Sequence, residues 1–358
     1  AGRIYDRQAQ WQKALDTYSE IEKATSENEL KALAMNRSAI IYYRLNQYKK
    51  AHALFDAVVA RYPESKDAEQ AYYMRGFCLL HLGDSIQALE TCRKFIETYP
   101  ESKWATDVTF WAGEYHYNHA DYKQAEASFA SIAERYPEHT MAPHALYWAG
   151  RSATAQEQFT KAMEYYSALA KNYPESGRLE EARFAQGEVL SELGDFTRAI
   201  LAFDEVIKNY PESYLSDLAW GRKGDCHFTL GAEETARYKE ALAAYQVLLQ
   251  SAGASRALRL QAQYKIGRCE EKLGHTTEAL SHYTSLMYSY LNGEIEAAPE
   301  NILWFTRAAF GAGALKEESE EWREAVNIYE RVLEAKVPAA DEARKRIDSI
   351  KQKYFYLF

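Results

Sequence analysis

Tyr-Pro recurs at Tyr62, Tyr99, Tyr136, Tyr173 and Tyr210, each copy 37 residues after the one before. Four copies continue as Tyr-Pro-Glu-Ser and the one at Tyr136 as Tyr-Pro-Glu-His. No other feature constrains the chain as strongly. A unit this short cannot bury an apolar face alone, so each copy must stack on its neighbours and the fold must be an array.

Within a period the apolar spacing is helical. The stretch AEQAYYMRGFCLLHLGDSIQALETCRKFIETYPES, from Ala68, carries apolar residues three and four apart on two segments. Leu82-Gly83-Asp84 breaks the first segment and Tyr99-Pro100 stops the second. Proline lacks an amide hydrogen and disfavours helix in the residue before it. The Glu-Ser that follows supplies an acidic residue and a hydroxyl cap near the start of the next helix. Each period therefore reads as one helical hairpin.

Three columns extend the alignment beyond the Tyr-Pro copies. Glycine stands in mid first helix at Gly2, Gly76, Gly113, Gly150, Gly187, Gly224, Gly267 and Gly313, with Ala39 in the remaining place. Alanine follows twelve residues later at Ala14, Ala51, Ala88, Ala125, Ala162, Ala199, Ala279 and Ala325, and at Ala241 once five extra residues near 232–237 are allowed. Four residues past each alanine comes a ring or its stand-in: Tyr18, Phe55, Cys92, Phe129, Tyr166, Phe203, Tyr245, Tyr283 and Tyr329. Small residues let two helix backbones approach, and the large ones interlock between them.

The glycine, aromatic, alanine, aromatic, proline order resembles the tetratricopeptide repeat, whose standard period is 34 residues. The 37-residue period with its Tyr-Pro-Glu-Ser junction is similar to the repeats of bacterial envelope proteins, such as TolA-binding periplasmic proteins and outer-membrane assembly lipoproteins. The resemblance implies an all-α fold: an α-solenoid superhelix of about nine hairpins over residues 1–338. The first hairpin lacks its N-terminal half, which predicts further sequence upstream. Residues 339–358 are expected to form a polar capping helix followed by the apolar tail YFYLF.

Signals of catalysis do not emerge. The chain has no GxxxxGK[ST], HExxH, GxSxG or CxxC. His116 and His119 share a helical face, but a third ligand is not apparent and zinc takes three or four. Cys78, Cys92, Cys226 and Cys269 follow no metal or redox spacing and read as compact core filler. Asn36-Arg37-Ser38 is a formal glycosylation sequon placed in mid helix. No cofactor or metal is expected. A net charge of −9 disfavours nucleic acid as a partner, and no stretch of about 18 apolar residues could span a membrane.

In the family it resembles, the first helices line the concave side. The resemblance therefore assigns a groove to the positions around each repeat glycine. Three before it lie Tyr73, Phe110, Tyr147, Phe184, Tyr264 and Phe310, interrupted by Asn36 and Gly221. Tyr43, Tyr117 and Phe228 stand four after the glycine or its Ala39 stand-in, His144 six before, and Arg151 and Arg268 one after. Rings with arginine suit a protein-binding groove, since both dominate binding hot spots. The competing reading is that the rings hold adjacent hairpins together.

The expected function is a non-catalytic scaffold that binds an extended peptide or a helix of another protein. That partner would carry both acidic and basic residues, because groove charge changes from His144 and Arg151 to Glu181, Glu188 and Glu192. Two alternatives stand beside it: the repeat or regulatory portion of a larger enzyme or sensor, and a structural spacer. The family resemblance implies a periplasmic, cell-envelope location, while four unpaired cysteines suit a reducing compartment.

Overall fold

The computed structural model describes residues 2–358, and every regular element among them is helical. They divide into two compact units, one ending at Gln158 and the other spanning Phe159–Phe358. The first holds α1 (Gly2–Arg7), α2 (Trp11–Ala24), α3 (Asn28–Arg44), α4 (Tyr48–Arg61), α5 (Ala68–His81), α6 (Ser85–Thr98), α7 (Ala105–Asn118), α8 (Tyr122–Arg135) and α9 (Ala142–Ala155). The second holds α10 (Phe159–Asn172), α11 (Leu179–Glu192), α12 (Phe196–Asn209), α13 (Tyr214–Leu230), α14 (Arg237–Gln250) and α15 (Arg256–Lys272). It continues with α16 (Thr276–Leu291), α17 (Pro299–Glu318), α18 (Trp322–Glu334) and α19 (Ala340–Lys353), and ends in a 3-10 turn at Phe355–Leu357.

Within each unit, every helix packs on the next. First helices also meet their counterparts one repeat on, as α3 does α5 and α13 does both α11 and α15. The Tyr-Pro stops act as expected. Tyr62, Tyr99, Tyr136 and Tyr210 leave helical geometry with φ of −133°, −128°, −128° and −133°, because the following proline disfavours the α region. The serine behaves differently from the expectation in some repeats. Ser213 accepts from Leu215 N at 3.1 Å and caps α13. Ser102 and Ser176 accept from Trp104 N and Arg178 N at 3.1 Å, but α7 and α11 begin only at Ala105 and Leu179. There the hydroxyl closes a separate turn, in which Ala105 N and Leu179 N donate to the serine carbonyls at 3.0 Å.

The core repeats with the sequence columns. All nine column alanines are 0% exposed, and the ring four residues on is almost wholly buried in every repeat that has one. Tyr18, Phe129, Phe203, Tyr245, Tyr283 and Tyr329 each sit on the repeat glycine of the facing helix. A Cβ on Gly113 would lie 2.7 Å from Phe129, on Gly187 2.6 Å from Phe203, and on Gly313 2.5 Å from Tyr329. Real Cβ contacts do not come that close, so in these repeats the ring as seated leaves room only for glycine, whereas in the repeat with Ala39 in that place Phe55 is buried beside a Cβ. Burying such a ring contributes about 1.5–3 kcal/mol. Gly76 is the exception that explains the rule: it faces Cys92, and a Cβ there would meet nothing nearer than 3.7 Å.

The hairpin turns, except the one between α13 and α14, share one backbone device. Five residues before the column alanine the chain turns left-handed, at Ala9, Asn46, Gly83, Ala120, Glu157, Gly194, Gly274 and Glu320, with φ between 55° and 80°. Asp84, Asp121 and Asp195 then cap the second helix, accepting from Gln87 N, Gln124 N and Arg198 N at 3.1, 3.3 and 3.1 Å. At the far end Tyr354 stacks on Trp322 at 4.0 Å and Arg323 Nε donates to the Leu357 carbonyl at 2.7 Å. Phe355, Tyr356 and Phe358 remain exposed.

Candidate functional site

In the first unit Tyr43 shares a 2.9 Å hydrogen bond with His81 Nε2, and His81 stacks on Tyr48 at 4.2 Å. Burial pushes the Tyr43 hydroxyl above its usual range. Tyr73 stacks on Trp104 at 5.1 Å and lies 4.8 Å from Phe77; burial raises its hydroxyl to about 12. Phe110 sets its edge on Phe129 at 5.1 Å, and Tyr117 meets Tyr122 and Trp148 at 5.3 and 5.0 Å. On α9 His144 is half-buried and Tyr147 is buried. Arg151 is exposed and donates to the Tyr147 hydroxyl at 3.1 Å.

In the second unit Phe184 is buried against Phe203 at 5.6 Å, and Phe228 meets Tyr238 at 5.2 Å. Arg268 reaches the Tyr264 hydroxyl at 3.4 Å and covers the Phe228 ring at 6.0 Å. Tyr264 lies 5.7 Å from both Tyr283 and Trp304, and Phe310 lies 5.4 Å from Tyr329. The ring three before the glycine therefore rests on the ring seated over that glycine in four repeats. These aromatics form the floor of the first-helix face.

Polar and charged groups reach solvent on that face. Arg44, His81, Glu114 and Arg151 are exposed in the first unit, and Glu192, Arg222 and Arg307 in the second. Arg222 belongs to an ion network that single-repeat reasoning does not reveal. Asp225 accepts from Lys265 and from the Tyr245 hydroxyl, the latter at 2.6 Å. Arg222 lies 3.4 Å from Glu188 and 3.9 Å from the other Asp225 oxygen. Burial pushes the Lys265 ammonium down, against the pull of Asp225. One signal was available in the sequence. In three repeats of the second unit the ring over the glycine is tyrosine and an acid stands on the facing helix: Asp225 for Tyr245, Glu271 for Tyr283 and Glu317 for Tyr329.

Other side chains are accounted for structurally. Asn36 is wholly buried, with its amide donating to Asp67 at 2.6 Å and Gln70 at 3.0 Å, so no glycan fits there. All four cysteines are free and buried, and burial raises the thiols of Cys78, Cys92 and Cys269 to about 12. His116 lies 3.6 Å from Asp121, while His119 stacks on Tyr115 at 4.0 Å. No group of three or more His, Cys, Asp or Glu among the described residues is arranged to hold a metal ion.

Clefts also open away from this face, at one recurring place in the repeat. One of ≈ 430 Å³ is bounded by Leu89, Arg93, His116 and Ser128. A second of ≈ 470 Å³ lies among Ile200, Asp204, His227 and Ala244, and a third of ≈ 410 Å³ among Leu280, Thr284, Lys316 and Ile328. In each, the first helix contributes the residue three after its glycine. On the first-helix face a smaller cavity of ≈ 220 Å³ lies between α11 and α13, lined by Glu188, Glu192, Arg222 and Asp225.

Residues 5–111 match the family described as outer membrane lipoprotein, and residues 112–177, 184–247 and 261–290 match tetratricopeptide-repeat families. No curated protein matches the chain. Among solved structures, a tetratricopeptide repeat protein from Parabacteroides merdae is 12% identical over 77% of this chain and 98% of its own, with a TM-score of 0.44. The C-terminal part of a repeat protein from Cytophaga hutchinsonii is 15% identical over 75% and 94%, at 0.42. Yeast Tom70 is 16% identical over 87% and 59%, at 0.44. No helix of the described residues is long and apolar enough to cross a membrane.

Proposed function

Because the chain is a tetratricopeptide-repeat protein, we propose that it is a non-catalytic scaffold whose first-helix face binds an extended segment or helix of another protein. One observation carries this reading. The first-helix face combines a floor of buried and half-buried rings with polar and charged groups that reach solvent: Arg44, His81, Glu114 and Arg151 in one unit, Glu188, Arg222 and Arg307 in the other. Rings supply contact area at small entropic cost, and the charges supply register and discrimination between partners. Tyr43, Tyr73, Phe110, Tyr117, His144, Tyr147 and Arg151 form the contact surface of the first unit, and Phe184, Phe228, Tyr264, Arg268 and Phe310 that of the second. The match of residues 5–111 to the outer membrane lipoprotein family supports a place in a bacterial cell-envelope complex.

Site-directed photo-cross-linking tests this while leaving every ring of the floor in place. A benzophenone amino acid at His81 or Arg151 is expected to capture a partner that the same group at Ile86 or Leu201, which are exposed on second helices, does not. Capture from the second-helix positions alone would move the binding site to the recurring clefts. Capture from none of the four would favour a spacer.

A further inference from the structure

We propose that Glu114, flanked by the rings of Phe110 and Tyr117, is the seat for an arginine guanidinium of the bound segment; this rests on the first-helix face being the binding face. The three residues lie at i−4, i and i+3 on α7, which places them on one side of the helix. The opposite side of α7, through Thr109, Ala112 and His116, faces a second-helix cleft.

Glu114, like Glu192, differs from the paired carboxylates of this face. Asp6 pairs with Arg44 at 3.0 Å, Glu188 with Arg222 at 3.4 Å, and Asp225 with Lys265. Glu271 and Glu317 accept from Tyr283 and Tyr329 at 2.9 and 2.6 Å. Glu114 takes part in no ion pair or side-chain hydrogen bond among the described residues. Its counterpart one repeat on, Arg151, is engaged with the Tyr147 hydroxyl at 3.1 Å. Glu114 keeps contact with solvent, yet surrounding protein desolvates it enough to hold its carboxyl above the usual range. A carboxylate that loses water without gaining a cation costs free energy, and an incoming cation recovers that cost.

The flanking rings narrow the choice of cation. Phe110 rests edge-on against Phe129 and Tyr117 edge-on against Trp148, so both are held in place rather than free to swing over the carboxylate. A planar guanidinium can form a paired hydrogen bond to the carboxylate and stack on a ring at once. An ammonium can do only one of these well. A bare metal ion would find one carboxylate and no further ligand group. The match is to an arginine side chain.

The test uses the whole chain immobilised against a random-peptide phage library, then the best recovered peptide by fluorescence anisotropy. Arginine is expected to be enriched at one position of the recovered peptides. Glu114→Gln and replacement of that arginine by citrulline should each weaken binding roughly five- to tenfold, and together no further, as a shared contact requires. Glu114→Gln preserves volume, and an unchanged circular dichroism melt controls for folding. Peptides that bind and are cross-linked to His81 or Arg151, but show no arginine preference and ignore Glu114→Gln, would overturn the arginine seat and leave the groove reading intact. Peptides recovered only by second-helix positions, or no peptides at all, would overturn both.

Discussion

Gly187→Ala and Gly76→Ala are the same chemical change at equivalent places in two repeats, and the structure predicts opposite outcomes. At Gly187 the new Cβ would fall 2.6 Å from Phe203 Cε1, 2.8 Å from Cζ and 2.9 Å from Cδ1. Phe203 is 0% exposed and cannot swing away, so the helices must separate. Overpacking of this kind costs about 1–3 kcal/mol. Alanine returns about 1 kcal/mol of helix propensity, leaving a net loss of roughly 0–2 kcal/mol. At Gly76 the Cβ would meet Thr91 Cγ2 at 3.7 Å and Cys92 Sγ at 4.0 Å, ordinary contacts, so the propensity gain survives as about 0.5–1 kcal/mol of stabilisation. A repeat array need not unfold in one step, so a single global midpoint would blur the comparison. Hydrogen exchange followed by mass spectrometry reads opening locally. Amides of α11 and α12 should exchange faster in Gly187→Ala, and those of α5 and α6 more slowly in Gly76→Ala. A cycle adding Cys92→Phe sharpens the test, since the new ring should be compatible with Gly76 but antagonistic to Gly76→Ala by about 1–3 kcal/mol. Equal protection in both single variants would refute the claim that the ring is what demands the glycine.

Two further predictions follow from the turns and the buried histidines. Ala120 holds φ at 59°, which glycine adopts without strain. Ala120→Gly should therefore slow exchange in α7 and α8, gaining roughly 0.5–1 kcal/mol after the entropic cost of glycine, whereas faster exchange would show the turn to be unstrained. His52, His227 and His282 all have folded values pushed below the ordinary range by desolvation, opposed in part by Asp56, Glu240 and Glu270. A lowered value means the unfolded chain takes up the proton first. Stability should thus be full above the ordinary histidine value of about 6.5, and fall as pH drops from there through the folded values. Melting temperature against pH should show this decline, and His227→Gln should flatten it; an unchanged slope would remove His227 from the account.

Much of the fold was legible because a 37-residue repeat reports its own contacts. The alanine column predicted close helix approach, and every member is fully buried. Glycine was recognised as a small residue in mid helix, but its reason, a ring seated on it, needs coordinates. The serine of Tyr-Pro-Glu-Ser was expected near the helix start and in α7 and α11 closes a separate turn instead. Local propensity could not separate the two, because Ser hydroxyls bond nearby amides equally well in turns and at caps. For the candidate site, position along the helix identified the rings. It said nothing of how much of each ring is spent on Phe129, Phe203, Tyr283 or Tyr329.

The amino-acid order by itself determined the hairpins, their stops, and which residues are small or large at each helix crossing. Those contacts lie inside one repeat, and the repeat rewrites them again and again. The tertiary structure decided the charges: Lys265 with Asp225, Arg44 with Asp6, Tyr43 with His81, and the isolation of Glu114. Each of those pairs joins residues 38 or 40 apart, one repeat to the next. Partners there depend on how neighbouring hairpins stack, and stacking is set by the whole interface rather than by any single period.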